Sequence, residues 1–189
     1  MIKVAYNFVA SEAGWFACVL GAAHGKPWIG PLVVIALVAI HLRLVQKPGA
    51  EVRLMLAAVL IGLAAESLLV VSGFVSYPNG TWFQGFAPYW ILAMWVIFAT
   101  TLNTCLKWLQ GRIPLAMLLG AIYGPLAYLA GEELGAITFE ERSLAIAALA
   151  LVWAIRMPLL AMLAARWNSE VRVRRPEYIL DDWRVNSGA

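Results

Sequence analysis

Charge is what this chain has least of. Only 13% of its 189 residues are Asp, Glu, Lys or Arg, about half the fraction of a soluble domain. With 62% hydrophobic residues and a mean hydropathy of +0.78, that scarcity excludes an ordinary soluble domain and predicts an integral membrane protein. Two histidines cannot supply the histidine-rich metal sites of membrane desaturases. HExxH, CxxC, GxSxG, a phosphate-cradling glycine loop and an ATP-binding motif are all missing. These absences count against a familiar hydrolase, a metalloenzyme or a self-powered pump, and neither a metal nor a cofactor is expected. Cys18 and Cys105 come out at depths that differ by roughly 15–20 Å, too far for a disulfide. Both are read as packing residues. The formal +3 charge carries no sign of nucleic-acid binding.

What the chain does have is apolar runs. Six of them, at about 4–23, 28–45, 54–75, 87–106, 114–131 and 143–165, each approach the roughly 20 residues a helix needs to cross hydrocarbon. They predict an all-α polytopic bundle of six transmembrane helices over residues 1–165, followed by a cytoplasmic tail, 166–189, basic and then acidic. Lys and Arg stay on the cytoplasmic side. With the N-terminus inside, eleven of them from Lys3 to Arg184 fall there, against Lys26 and Arg142 outside. The expected topology is N-in, C-in. A cleaved signal peptide fits poorly, because Lys3 is the only basic residue near the start and Glu12 interrupts the first apolar run.

Three ionisable side chains lie within about one or two turns of the expected bilayer centre: Glu12, Glu66 and Arg156. A charge at that depth costs at least about 2.5–3.5 kcal/mol, so it should face the bundle interior and find a partner. The economical arrangement is Arg156 between two carboxylates, a cluster of net charge −1 able to exchange a proton when something binds. His41 and Asn103, with Thr100 and Thr101, would extend a proton path. The structural alternative is an Arg–Glu pair that fixes helix register. For His41 alone, a hydrogen-bonded or snorkelling side chain is the stronger reading.

Tryptophan belongs at the membrane interface, where Trp28, Trp82, Trp90, Trp108 and Trp167 are expected. Trp15, Trp95 and Trp153, with Tyr123, instead fall near the centre. Trp15 and Trp153 each lie three residues from a charge, on the same helix face. They read as walls of a pocket for an organic molecule, or as rings filling an irregular core. Pro158 removes a backbone hydrogen bond just after Arg156 and should kink the sixth helix. Gly21 with Gly25, Gly120 with Gly124 and Gly131 with Gly135 have the four-residue spacing of close helix packing. The aromatic stretch "SYPNGTWFQGFAPYW" reads as an interfacial belt, or less readily as a lid. The basic start of the tail from Arg166 suits anionic headgroups, and its remainder reads either as disordered or as docking a partner.

The stretches "GWFACVLGAAHGKPWIG", "LAMWVIFATTLNTCLKWL", "LLGAIYGPLAYLAGEELGA" and "WAIRMPLLAMLA" resemble signature segments of DUF2878, a bacterial inner-membrane family of unknown function. The likeness covers nearly all the chain up to the tail. It implies a small multi-pass protein of the bacterial cytoplasmic membrane, with no established activity and an association with membrane-lipid modification and oxidative or light stress. It also implies that the Glu12 position is often glutamine, which moves weight to Glu66.

The leading functional reading is binding or transport of a small organic or lipid-like molecule at a midplane pocket. Arg156 would meet its polar group, Glu66 and Glu12 would balance charge, and Trp15, Trp95, Trp153 and Tyr123 would line the cavity. One alternative is a lipid-modifying enzyme, or an accessory subunit of a membrane-lipid or stress pathway, with a protonated carboxyl as general acid. Another is the substrate-binding membrane subunit of a multi-component transporter, for which Ala13 and Ala17 offer a small-residue face. Membrane lipid is the expected partner. The ligand and the oligomeric state stay open.

Overall fold

The computed structural model describes residues 2–173. Six helices form the framework: α1 (Ile2–Ala23), α2 (Ile29–Leu44), α3 (Pro48–Val71), α4 (Tyr89–Thr101), α5 (Ile113–Glu133) and α6 (Arg142–Val173). All six apolar segments thus fold as helices, but their lengths are unequal. Stretches of α3, α5 and α6 are long and apolar enough to cross a membrane. Helices α2 and α4 have 16 and 13 residues, about 24 and 20 Å at 1.5 Å per residue, short of a hydrocarbon core of about 30 Å. Although α1 has 22 residues, Asn7, Ser11 and Glu12 dilute its apolar character.

Helix α4 stops five residues before its apolar run does, and the cause is local. Thr100, Thr101 and Thr104 each turn a hydroxyl onto a nearby backbone carbonyl, of Ile97, Phe98 and Thr100 respectively. Hydroxyls that bond the backbone compete with the helical ladder, and the chain continues as turns into a 3-10 turn at Lys107–Leu109. At the other extreme, α6 passes through Pro158 and runs past residue 165 to Val173. The acidic part of the tail lies outside the described residues.

Gly21 lies against the start of α2, but of the three small-residue pairs only Gly120 and Gly124 both face a neighbouring helix. A Cβ on either would collide with Trp153 of α6, so their absence of side chain sets how closely α5 lies along α6. Gly25 and Gly135 instead end helices. Each has positive φ, +69° and +84°, and each is followed by a residue whose N–H bonds back to Gly21 or Gly131, the usual left-handed helix stop.

The helices form two groups. One contains α1, α2 and α4; the other is the α5–α6 hairpin; α3 packs on both α4 and α6 and joins them. Helices α1 and α5 scarcely touch, so the bundle is parted between them. At one end the groups are linked by a two-residue antiparallel pairing, β1 (Val75–Ser76) with β2 (Thr138–Phe139). Outward-facing Leu60, Val71 and Leu151 leave the bundle a surface suited to lipid.

The α5–α6 seam predicts a sharp glycine requirement. Gly120→Val should lower stability by about 1–3 kcal/mol through overpacking, read as thermal unfolding in mild detergent. Gly49→Ala, where an added Cβ meets nothing within 4 Å, should change little.

Candidate functional site

The deepest charges in the bundle are joined. Glu66 on α3 is 0% exposed and Arg156 on α6 is 3% exposed, and Arg156 Nη1 donates to Glu66 Oε1 at 2.7 Å. The second carboxylate oxygen, Oε2, accepts from the Tyr77 hydroxyl at 3.1 Å. Tyr77 follows β1, so the small strand pairing delivers this donor from the α3–α4 connection into the core. Burial, above all, pushes the Tyr77 phenol well above the usual tyrosine range, and the neighbouring Tyr128 and Glu66 add to it. The hydroxyl therefore stays protonated and remains a donor.

The rest of the guanidinium faces aromatic rings. Its Cζ lies 4.9 Å from the ring centre of Trp95 and 5.0 Å from that of Trp153. The two indoles stack on each other, 5.0 Å apart and 15° from parallel. Arg156 Nε and Nη2 are buried and meet no protein acceptor, so the ring faces are what these N–H groups have for company. Two glycines make room for the pair. An added Cβ on Gly62 would strike the Trp95 ring, and one on Gly124 the Trp153 ring. Each indole thus sits in a notch on the facing helix.

On the side of α1 and α5, the indoles form part of the wall of a groove of about 800 Å³. Along α1 it runs from Phe8 to Val19, twelve residues and about 17 Å at the helical rise. Trp15, Trp95, Trp153 and Tyr123 all line it, and so does Glu12. Arg156 and Glu66 do not; they lie buried outside its lining. A family model described as "Protein of unknown function (DUF2878)" matches residues 4–159. The chain belongs to the DUF2878 family. No match was found among curated proteins or among solved structures. Within the DUF2878 match fall both members of the ion pair and every groove-lining residue.

For this DUF2878 chain the expected three-membered cluster resolves into a pair and a separate acid. Among the described residues Glu12 has neither a hydrogen bond nor an ion pair, and it is exposed to the groove. Helix α1 is not packed on α3 or α6, so a shared depth does not bring Glu12 to Arg156. Of the four residues expected to extend a proton path, Thr100 accepts from Asn7 and Thr101 bonds the Phe98 carbonyl, while His41 and Asn103 meet through Glu51. His41 Nε2 is 3.5 Å from Glu51 Oε2, Asn103 Nδ2 donates to Glu51 Oε1 at 3.0 Å, and Gln110 donates to Asn103 Oδ1 at 2.9 Å. Glu51 precedes Glu66 by fifteen residues, about 22 Å along α3, and among the described residues no hydrogen-bonded chain connects the two clusters.

Sequence reasoning missed Glu51, Tyr77, Tyr128 and Gln110. A signal for Glu51 was present: Pro48 at the first helical position starts α3 six residues early and puts an acid in its first turn, where the helix dipole favours it. Tyr77 looked like part of an interfacial belt, and Trp90, also assigned there, is fully buried with its Nε1 bonded to the Asn79 carbonyl at 3.0 Å. Among the described residues no group of three or more His, Cys, Asp or Glu converges to hold a metal ion.

Removing one partner of a buried pair strands the other, at about 3–5 kcal/mol, whereas replacing both with apolar residues is often neutral. Arg156→Ala and Glu66→Ala should each lower the unfolding temperature markedly. The double variant Glu66→Leu/Arg156→Met should recover most of that loss. A double variant no more stable than the singles would mean that the pair does more than satisfy its own charges.

Proposed function

We propose that this protein is a multi-pass membrane protein that binds or carries a lipid-like molecule in the groove between α1 and α5. The observation that carries the reading is the groove itself: about 800 Å³, walled mainly by apolar and aromatic side chains, where two helices part. Binding sites for organic molecules are of this size and lining. A cleft on the side of a helix bundle, rather than at its end, is reached from the bilayer. Its length of about 17 Å along α1 is about half the thickness of the hydrocarbon core.

In this reading all six helices lie within the membrane of a bacterial cell, with both chain ends on the cytoplasmic side. The distribution of Lys and Arg supports that orientation. The short α2 and α4 are accommodated by local thinning and by polar groups at their ends. Trp15, Trp95, Trp153 and Tyr123 contact the bound molecule. Arg156 acts as a positioning residue: neutralised by Glu66, it fixes the two indoles rather than meeting the ligand.

The test is lipid analysis by mass spectrometry on protein purified from native membranes in mild detergent. The native protein should carry one enriched species in near-stoichiometric amount. Ala127→Trp, which puts an indole into the groove, should lose that species while keeping its unfolding temperature. Native protein that carries only the bulk lipid profile would refute the proposal.

A further inference from the structure

The groove has an uncompensated charge. Among the described residues, Glu12 is the only acid that lines it, and no Lys, Arg or His does. The buried cation behind the groove's indoles is already committed, since Arg156 is paired with Glu66 at 2.7 Å and lies outside the lining. Among the described residues Glu12 is unpartnered. Thr101, at the end of α4, and Cys105 and Leu106 just beyond it line the same groove as Glu12.

The side chains around that end are aromatic rings and hydroxyls. Phe8 and Trp15 lie one turn before and one turn after Glu12 on α1 and therefore flank it on the same face. Trp108 and Tyr123 contribute further rings to the same groove, and Ser11 and Thr101 add hydroxyls. A carboxylate among aromatic faces is the combination that recognises an organic cation. The carboxylate supplies the opposite charge and accepts N–H bonds, while ring faces attract the ammonium and its adjoining methylenes. An anionic head would meet repulsion from Glu12, with no free cation to offset it. An uncharged head would leave a carboxylate at membrane depth without a partner.

We propose that the groove selects an amphiphile bearing an ammonium group, its head held by Glu12 between Phe8 and Trp15 and its chain along the aromatic wall. This rests on the reading of the groove as a site for a lipid-like molecule. The short, hydroxyl-lined end beside Glu12 takes the head, and the remaining apolar length takes the hydrocarbon.

The experiment is a titration followed by native mass spectrometry in a neutral detergent, with three probes of equal chain length: a primary alkylammonium, the corresponding alcohol and the corresponding carboxylate. The native protein should bind the ammonium about tenfold tighter than the alcohol and the carboxylate most weakly. Glu12→Gln should bring ammonium and alcohol to within about twofold, chiefly by weakening the ammonium. Each probe is also compared between the two proteins, where its partition into detergent cancels, and the native-protein affinities are corrected for each probe's measured partition. Equal binding of ammonium and alcohol by the native protein, with both lost in Ala127→Trp, would overturn this inference and leave the groove reading intact. An ammonium preference unchanged in Glu12→Gln would also overturn it. Failure of all three probes to bind would overturn both.

Discussion

A guanidinium and a carboxylate in contact at 2.7 Å, both out of reach of solvent, fix how the two groups of helices meet. Among the described residues, α3 is the one helix that packs against both groups, and Glu66 is on it. Such a pair is not in itself a large source of stability, because desolvating two charges offsets much of their attraction. Its effect is on specificity. In an apolar surrounding, any rotation or slide of α6 against α3 that separates the partners exposes two unpaired charges, so one register is strongly preferred. Tyr77 reinforces it from outside the helices by bonding the second carboxylate oxygen, which couples the pair to the β1–β2 connection.

That register also determines where the aromatic rings point. Trp153 precedes Arg156 by three residues and shares its helix face, so setting Arg156 toward α3 sets Trp153 against Trp95. The glycine notches then do the fine work. Without side chains at Gly62 and Gly124, the indoles lie flat in the helix surfaces, and the groove beside them keeps its width. Charge, aromatic stacking and absent side chains are thus one arrangement. The wall of the groove depends on all three.

Much of this was legible in the sequence, and the remainder was not for identifiable reasons. Long apolar runs announce helices, and charges within such runs are rare enough that Glu66 and Arg156 stand out. Counting from a helix end gives depth, yet it gives neither the rotation of a helix about its axis nor the order of its neighbours. Glu12 and Glu66 are at similar depths but on helices that are not packed together, so the expected triad became a pair and a lone acid. The length of α4 was misjudged because hydropathy does not register threonine hydroxyls turning back onto the chain. Tyr77 and Tyr128 carry no sequence signal for their place beside Glu66, since the strand pairing that delivers Tyr77 is only two residues long.

The parting of α1 from α5 bears on supply as well as on shape. Under the proposed reading, a cleft on the flank of a bundle exchanges with the bilayer in two dimensions, so an occupant must first dissolve there. Its mole fraction there, rather than its concentration in water, then sets the rate of arrival. Sparingly soluble molecules are favoured by that geometry, because each increment of chain length that drives them out of water raises their density at the opening.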